Sequence, residues 1–125
     1  MILVDTSVWV DHLRSGDAQL AELLDRGAVL GHPFVIGEIA CGSLTDRGAI
    51  LALLQHLPMA VVAEAGEVLA YIQRHKLHGK GIGYVDAHLL AATALTGGTK
   101  LWTRDRRLHA VARELGCAHG AIAPR

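Results

Sequence analysis

Four carboxylates, Asp5, Glu38, Asp86 and Asp105, stand beside strong apolar neighbours, where the charges of a solvated face would not be expected. Asp5 ends the run Ile2, Leu3, Val4, which has no alternation and suits a strand covered on both faces at the centre of a parallel sheet. Glu38 is the single charge in Phe34-Val35-Ile36-Gly37-Glu38-Ile39-Ala40. Asp86 falls in the first turn of the most apolar helical segment, and Asp105 follows Leu101-Trp102-Thr103 much as Asp5 follows its own strand. Taken singly, each has a plain structural reading: Asp5 as a cap, Asp86 and Asp105 as acids favoured at a helix N-terminus, Glu38 as the partner of an arginine. Taken together at the carboxyl edge of a sheet, where ligands of open α/β folds bind, they would repel one another unless cations offset them. All-oxygen ligation is the preference of hard ions, so magnesium or manganese is the physical choice. Such an ion activates water for in-line attack on a phosphodiester and neutralises the leaving oxygen.

The elements that must hold these acids can be read in order. Thr6 and Ser7 are positioned to cap a helix containing Val8, Trp9, Val10 and Leu13; a second helix carries Leu20, Leu23 and Leu24 and ends at Gly27. Residues 28–31 form a short buried strand, and Pro33 suits the first turn of the helix bearing Glu38. Asp46 stands ready to cap a helix through Leu57, which Pro58 closes, and residues 59–62 read as a third strand. A helix over residues 63–75 runs into a basic stretch and a glycine loop; Tyr84 opens the apolar helix of Asp86, which should be buried on most sides. Residues 100–103 form a fourth strand, residues 105–115 a helix, and the tail through Ala121 and Ile122 an edge strand. This alternation predicts an α/β fold: a three-layer α/β/α sandwich with a mostly parallel central sheet of four to five strands, as one domain over residues 1–125.

Composition narrows the function. A chain of 125 residues can bury about two-thirds of its unfolded surface. Hydrophobic residues at 51 % and a mean hydropathy of +0.32 leave apolar surface for a partner or a second copy. Twelve basic against twelve acidic residues give no bulk attraction for nucleic acid, so any such contact must be local. Cys41 and Cys117 have neither metal nor paired spacing, which fits a reducing cytoplasm. No secretory or membrane-spanning segment is expected, since the apolar stretch over residues 48–63 is broken by Gln55, His56 and Pro58.

Arg74, Lys76 and Lys80, with His75 and His78, could hold RNA phosphates beside the acidic pocket; so could Arg104, Arg106 and Arg107 around Asp105. A solvated helix end rich in cations is the competing reading for both groups. Eight histidines do not make a zinc site, because no His-Glu-x-x-His or Cys/His cluster exists, and His88 reads as a packing residue or a support to the acids. Trp9 and Trp102 are better suited to core or interface than to base stacking.

The strand-end Asp5-Thr6-Ser7, Glu38 in its apolar helix, Ile82-Gly83-Tyr84-Val85-Asp86-Ala87-His88-Leu89-Leu90-Ala91 and Leu101-Trp102-Thr103-Arg104-Asp105-Arg106-Arg107-Leu108 together resemble the PIN-domain ribonucleases, most closely the VapC-type toxins. The likeness covers the whole chain in order and spacing. It implies a magnesium- or manganese-dependent endoribonuclease, usually a homodimer, neutralised by a cognate VapB-like antitoxin and reaching operator DNA only through it. It also implies that Asp5, Glu38, Asp86 and Asp105 are the catalytic and metal-holding acids. Asp5 and Asp86 are expected to be the principal ion holders, Glu38 to orient the attacking water, and Asp105 to hold a second ion or act through water. Thr6, Ser7 and Thr103 are candidates to hydrogen-bond those carboxylates. A haloacid-dehalogenase-type phosphatase would need an acid at position 7, where Ser7 stands, and a receiver domain would need one in the strand at residues 59–62, which has none. The competing function is a metal-binding module acting mainly as corepressor in a toxin–antitoxin complex on DNA.

Overall fold

The computed structural model describes residues 1–121. Along the chain run β1 (Ile2–Val4), α1 (Thr6–Ser15), α2 (Ala18–Asp25), β2 (Val29–Leu30), α3 (Pro33–Ala40), α4 (Arg47–Gln55), α5 (Ala65–His75), α6 (Tyr84–Leu95), β3 (Lys100–Trp102) and α7 (Arg106–Glu114). The strands form a parallel sheet of order β2-β1-β3, with Leu3 paired to Leu30 on one side and to Leu101 on the other. Leu3 and Val4 point to opposite faces of the sheet, yet both are fully buried, so helices cover both faces. The expected α/β sandwich with β1 at its centre is what the chain forms.

The strand count is lower than expected. Met59 makes a single parallel bridge to Gly31, in place of a strand over residues 59–62. The ladder stops because the next free amide, that of Val61, donates to Thr96 Oγ1 at 2.9 Å rather than to a strand. At the other edge the bridge is Leu101 to Ala118, not a strand through Ala121; Ile122 lies outside the described residues. Three strands with one bridge on each flank therefore replace four or five.

Local signals explain most helix ends. Asp17 accepts the Leu20 amide at 2.9 Å to start α2, and His32 Nδ1 accepts the Phe34 amide at 3.0 Å ahead of Pro33. Asp46 takes the cap position of α4 but in a left-handed conformation, φ 53°, with no side-chain cap bond. Lys76 ends α5 in the same region at φ 54°, and the Leu77 amide reaches back to the Ile72 carbonyl at 3.0 Å, tucking Leu77 into the core. As expected, α6 is buried on most sides: every residue from Ala87 to Thr93 is out of water, and Thr93 returns its hydroxyl to Leu89 O at 2.7 Å. No helix among the described residues is long and apolar enough to cross a membrane.

This topology creates the crevice. The chain leaves β1 for β2 on one side and reaches β3 on the other, so the connections at the carboxyl ends of β1 and β3 diverge. Asp5 lies just beyond β1, and Thr103, Arg104 and Asp105 lie just beyond β3.

Candidate active site

Asp5 is the deepest acid, with 7 % of its surface exposed. The Ser7 and Thr103 hydroxyls donate to its Oδ2 at 2.7 and 2.8 Å, and its own amide donates to Trp102 O at 2.9 Å. With both hydroxyl protons committed to Asp5, the two hydroxyl oxygens, 3.3 Å apart, act as acceptors: Ser7 Oγ takes the Arg104 amide at 3.0 Å and Thr103 Oγ1 the Asp105 amide at 3.1 Å. Two donors fix one carboxylate oxygen, while Oδ1 receives no hydrogen bond among the described residues.

Glu38 is exposed, and its Oε1 accepts the Thr6 hydroxyl at 2.6 Å, which turns the α3 carboxylate toward the start of α1. Asp86 is half-buried in the first turn of α6 and accepts the Gly83 amide at 3.0 Å. Burial raises its carboxyl above the ordinary value of 3.8; the Gly83 bond opposes this, and the charges of Asp5, Asp105 and Glu38 reinforce it. Asp105 is exposed and caps α7 by accepting the Leu108 amide at 3.0 Å. Asp86 thus feels all three other acids, so the quartet shares one neighbourhood. Among the described residues no group of three acid, histidine or cysteine side chains is close enough to hold a metal ion by itself.

The three polar helpers, Thr6, Ser7 and Thr103, each reach a quartet carboxylate. The basic residues divide. Lys80 pairs with Glu114 at 2.8 Å, and Arg104 is held by Asp11 at 2.6 Å and by Asp17. Arg74 and Lys76 are exposed at the end of α5, with no ion pair among the described residues. Sequence reasoning missed the roles of Asp11 and Asp17, which lie 93 and 87 positions from Arg104 and carry no local signal beyond Asp17's place before a helix. It also missed that Phe34 packs against both His32 and His88, at centroid distances of 5.2 and 4.5 Å, with Tyr84 on the His88 ring at 4.6 Å.

The PIN domain family model matches residues 2–114. This chain belongs to the PIN-domain family. Within it, the chain is 51 % identical over 118 residues to Ribonuclease VapC32 of Mycobacterium tuberculosis, in strains CDC 1551 / Oshkosh and H37Rv alike, spanning 94 % of this chain and 95 % of the relative. That likeness puts it with the VapC-type members. The solved structure of FitAB bound to IR36 DNA fragment shares the PIN fold with it at a TM-score of 0.63 and 21 % identity, over 90 % of this chain and 91 % of that one.

Proposed function

We propose that this PIN-domain chain is a metal-dependent endoribonuclease, the toxin of a toxin–antitoxin pair. The observation that carries the reading is the half-buried Asp86 carboxyl, which burial first, and then the charges of Asp5, Asp105 and Glu38, hold above its ordinary value. Such repulsion persists in a fold when a ligand relieves it, and the name of the 51 % identical relative, a ribonuclease, supplies the chemistry that fits. The donor set is entirely oxygen, the preference of magnesium and manganese. Asp5 and Asp86 would hold the ion, with Glu38 and Asp105 at its flanks. When bound, the ion lowers the pKa of the attacking water and neutralises charge on the leaving oxygen.

The chain's own residues do the rest. Ser7 and Thr103 fix the Asp5 carboxylate in direction, leaving Oδ1 for the ligand. Thr6 orients Glu38, which accepts a proton from water through its second oxygen, Oε2. Direct attack by water leaves a 5′-phosphate and a 3′-hydroxyl. Arg74 and Lys76 supply charge for RNA phosphates beyond the pocket. Leu53, Val61, Val62, Leu69 and Leu95, all at least 44 % exposed, offer apolar surface for a homodimer and for the antitoxin, through which operator DNA is reached in the cytoplasm.

RNA cleavage by the purified chain, freed of antitoxin, in manganese, magnesium or EDTA tests the reading. Metal-dependent cutting that disappears in folded Asp5→Asn and Asp86→Asn establishes it. A wild type inert on transfer, ribosomal and messenger RNA, or variants that cut equally well, would replace it with a binding module that acts within a DNA-bound complex.

A further inference from the structure

Arg104 sits between Thr103 and Asp105 on the connection from β3 to α7. Its Nη1 donates to Asp11 Oδ2 at 2.6 Å and its Nη2 to Asp17 Oδ2, while its Cζ lies 5.8 Å from the centre of the Trp102 ring. Asp11 belongs to α1, which Asp5 begins, and Asp17 caps α2 through the Leu20 amide. The Arg104 backbone amide adds a bond to Ser7 Oγ, the same hydroxyl that donates to Asp5. One side chain therefore ties the loop carrying Thr103 and Asp105 to the two helices that follow Asp5. Charge decides against a direct hold on RNA: two carboxylates on one guanidinium leave a net negative group, and Asp105 stands in the same cleft. A phosphate arriving there would have to displace a fork already filled by two carboxylates.

We propose that Arg104 is a positioning residue for the nuclease site and not an RNA contact: clamped by Asp11 and Asp17, it sets the place of Thr103 and Asp105 relative to Asp5. The proposal rests on the nuclease reading above. Burial would raise the Asp17 carboxyl, and the Leu20 amide bond followed by Arg104 outweighs it, leaving Asp17 below its ordinary value, as a stable clamp requires. Arg106, in the same cleft and without an ion pair among the described residues, remains the cation there that can face RNA.

The test compares wild type with Arg104→Gln, with the Asp11→Asn/Asp17→Asn pair, and with all three changes combined. Two readouts are used: kcat and KM on a single-stranded oligoribonucleotide with manganese, and amide hydrogen exchange without metal. A clamp predicts kcat lower by about 10- to 100-fold in each variant, since small misplacements near reacting groups cost that much. It also predicts KM within about twofold of wild type, the same non-additivity that marks one interaction, and a triple variant no worse than either parent. Exchange should quicken at the Arg104 and Leu108 amides, bonded to Ser7 and Asp105, while the α6 amides of Leu90 and Thr93 keep wild-type rates. Arg104→Lys, which can serve one carboxylate, should recover part of kcat. The proposal is overturned by a raised KM at unchanged kcat in Arg104→Gln, by additive losses, by exchange unchanged at those two amides, or by exchange quickened throughout the chain. A wild type that cuts no RNA fails the nuclease reading itself; an active wild type with unaltered exchange in the variants fails only the clamp.

Discussion

Two parts of this molecule take ionisable groups out of water, and they treat them in opposite ways. At the carboxyl edge of the sheet, Asp5 is almost fully buried, yet two hydroxyls donate to it, and three further acids stand nearby. Across α3 and α6, His32 is fully buried; its Nδ1 accepts the Phe34 amide, so the proton sits on Nε2, which has no partner among the described residues. His88 likewise leaves Nδ1 unpartnered, enclosed by the Phe34 and Tyr84 rings. The first region gathers carboxylates and gives the deepest of them two hydroxyl donors. The second disfavours charge, burial lowering both imidazoles below the ordinary 6.5, and the histidines serve as polar-edged packing. Neither of these two histidines hydrogen-bonds a quartet carboxylate among the described residues, whereas Thr6, Ser7 and Thr103 all do.

The comparison breaks most visibly at the acids. Asp5→Asn and Asp86→Asn keep shape and remove charge, so metal-dependent RNA cleavage should fall by about 10³-fold or more, the scale of the several kcal/mol that a catalytic ion supplies. Circular dichroism must show both variants folded. A loss under tenfold in either would mean that its carboxylate does not carry the ion.

On the histidine side the expected effect is on stability. Burial, followed by the charge of His88, lowers His32 from 6.5 to about 4. A lowered histidine gives stability that is complete above 6.5, because folded and unfolded chains are then both neutral. As pH falls from 6.5 toward 4, the unfolded chain takes up the proton first and the fold loses up to about 3 kcal/mol. Denaturant unfolding at several pH values, with the His32 ring followed by NMR, checks this; a ring that titrates near 6.5 in the folded protein would refute it.

How much of this contrast was legible beforehand depends on how local each interaction is. Asp5, Asp86 and Asp105 announce themselves because a strand end or a helix start is written in the adjoining residues, and Thr6, Ser7 and Thr103 are near enough to those signals to be read as helpers. Glu38 was legible as an odd charge in an apolar helix, although it lies on an exposed face rather than within the core. The clamp on Arg104 was not legible, since its carboxylates come from α1 and from the cap of α2, and only the assembled sheet edge brings them together. The packing of His32 and His88 on Phe34 is hidden for the same reason. The strand at residues 59–62 failed differently: its apolar run is real, but Thr96 takes the Val61 amide, so one bridge forms where a ladder was expected.

A smaller effect sharpens the picture of Asp5. Thr103→Val keeps the shape of a residue 2 % exposed while removing the donor to Asp5 and the acceptor of the Asp105 amide. Removing one of the two donors to buried Asp5 should cost about 1–3 kcal/mol in unfolding free energy and slow cleavage by about tenfold, because Ser7 keeps Asp5 in place but less firmly directed. Unchanged stability would show that water replaces the hydroxyl and that Thr103 does little for the acid.

The smallest effect runs against intuition. Burial, opposed by the Gly83 amide and reinforced by Asp5, Asp105 and Glu38, raises the Asp86 carboxyl above 3.8. A raised carboxyl favours the fold while protonated: its contribution is complete below 3.8 and is lost as pH rises through the folded value. At neutral pH without metal, Asp86 therefore weakens the protein, and Asp86→Asn, which can still accept the Gly83 amide, should raise the melting temperature while abolishing cleavage. Added manganese should then stabilise wild type and leave the variant nearly unmoved, since the ion offsets a repulsion that the variant no longer has. If Asp86→Asn instead melts lower than wild type in EDTA, the carboxylate is a structural cap in the first turn of α6, and the acidic edge is not held in readiness for a cation.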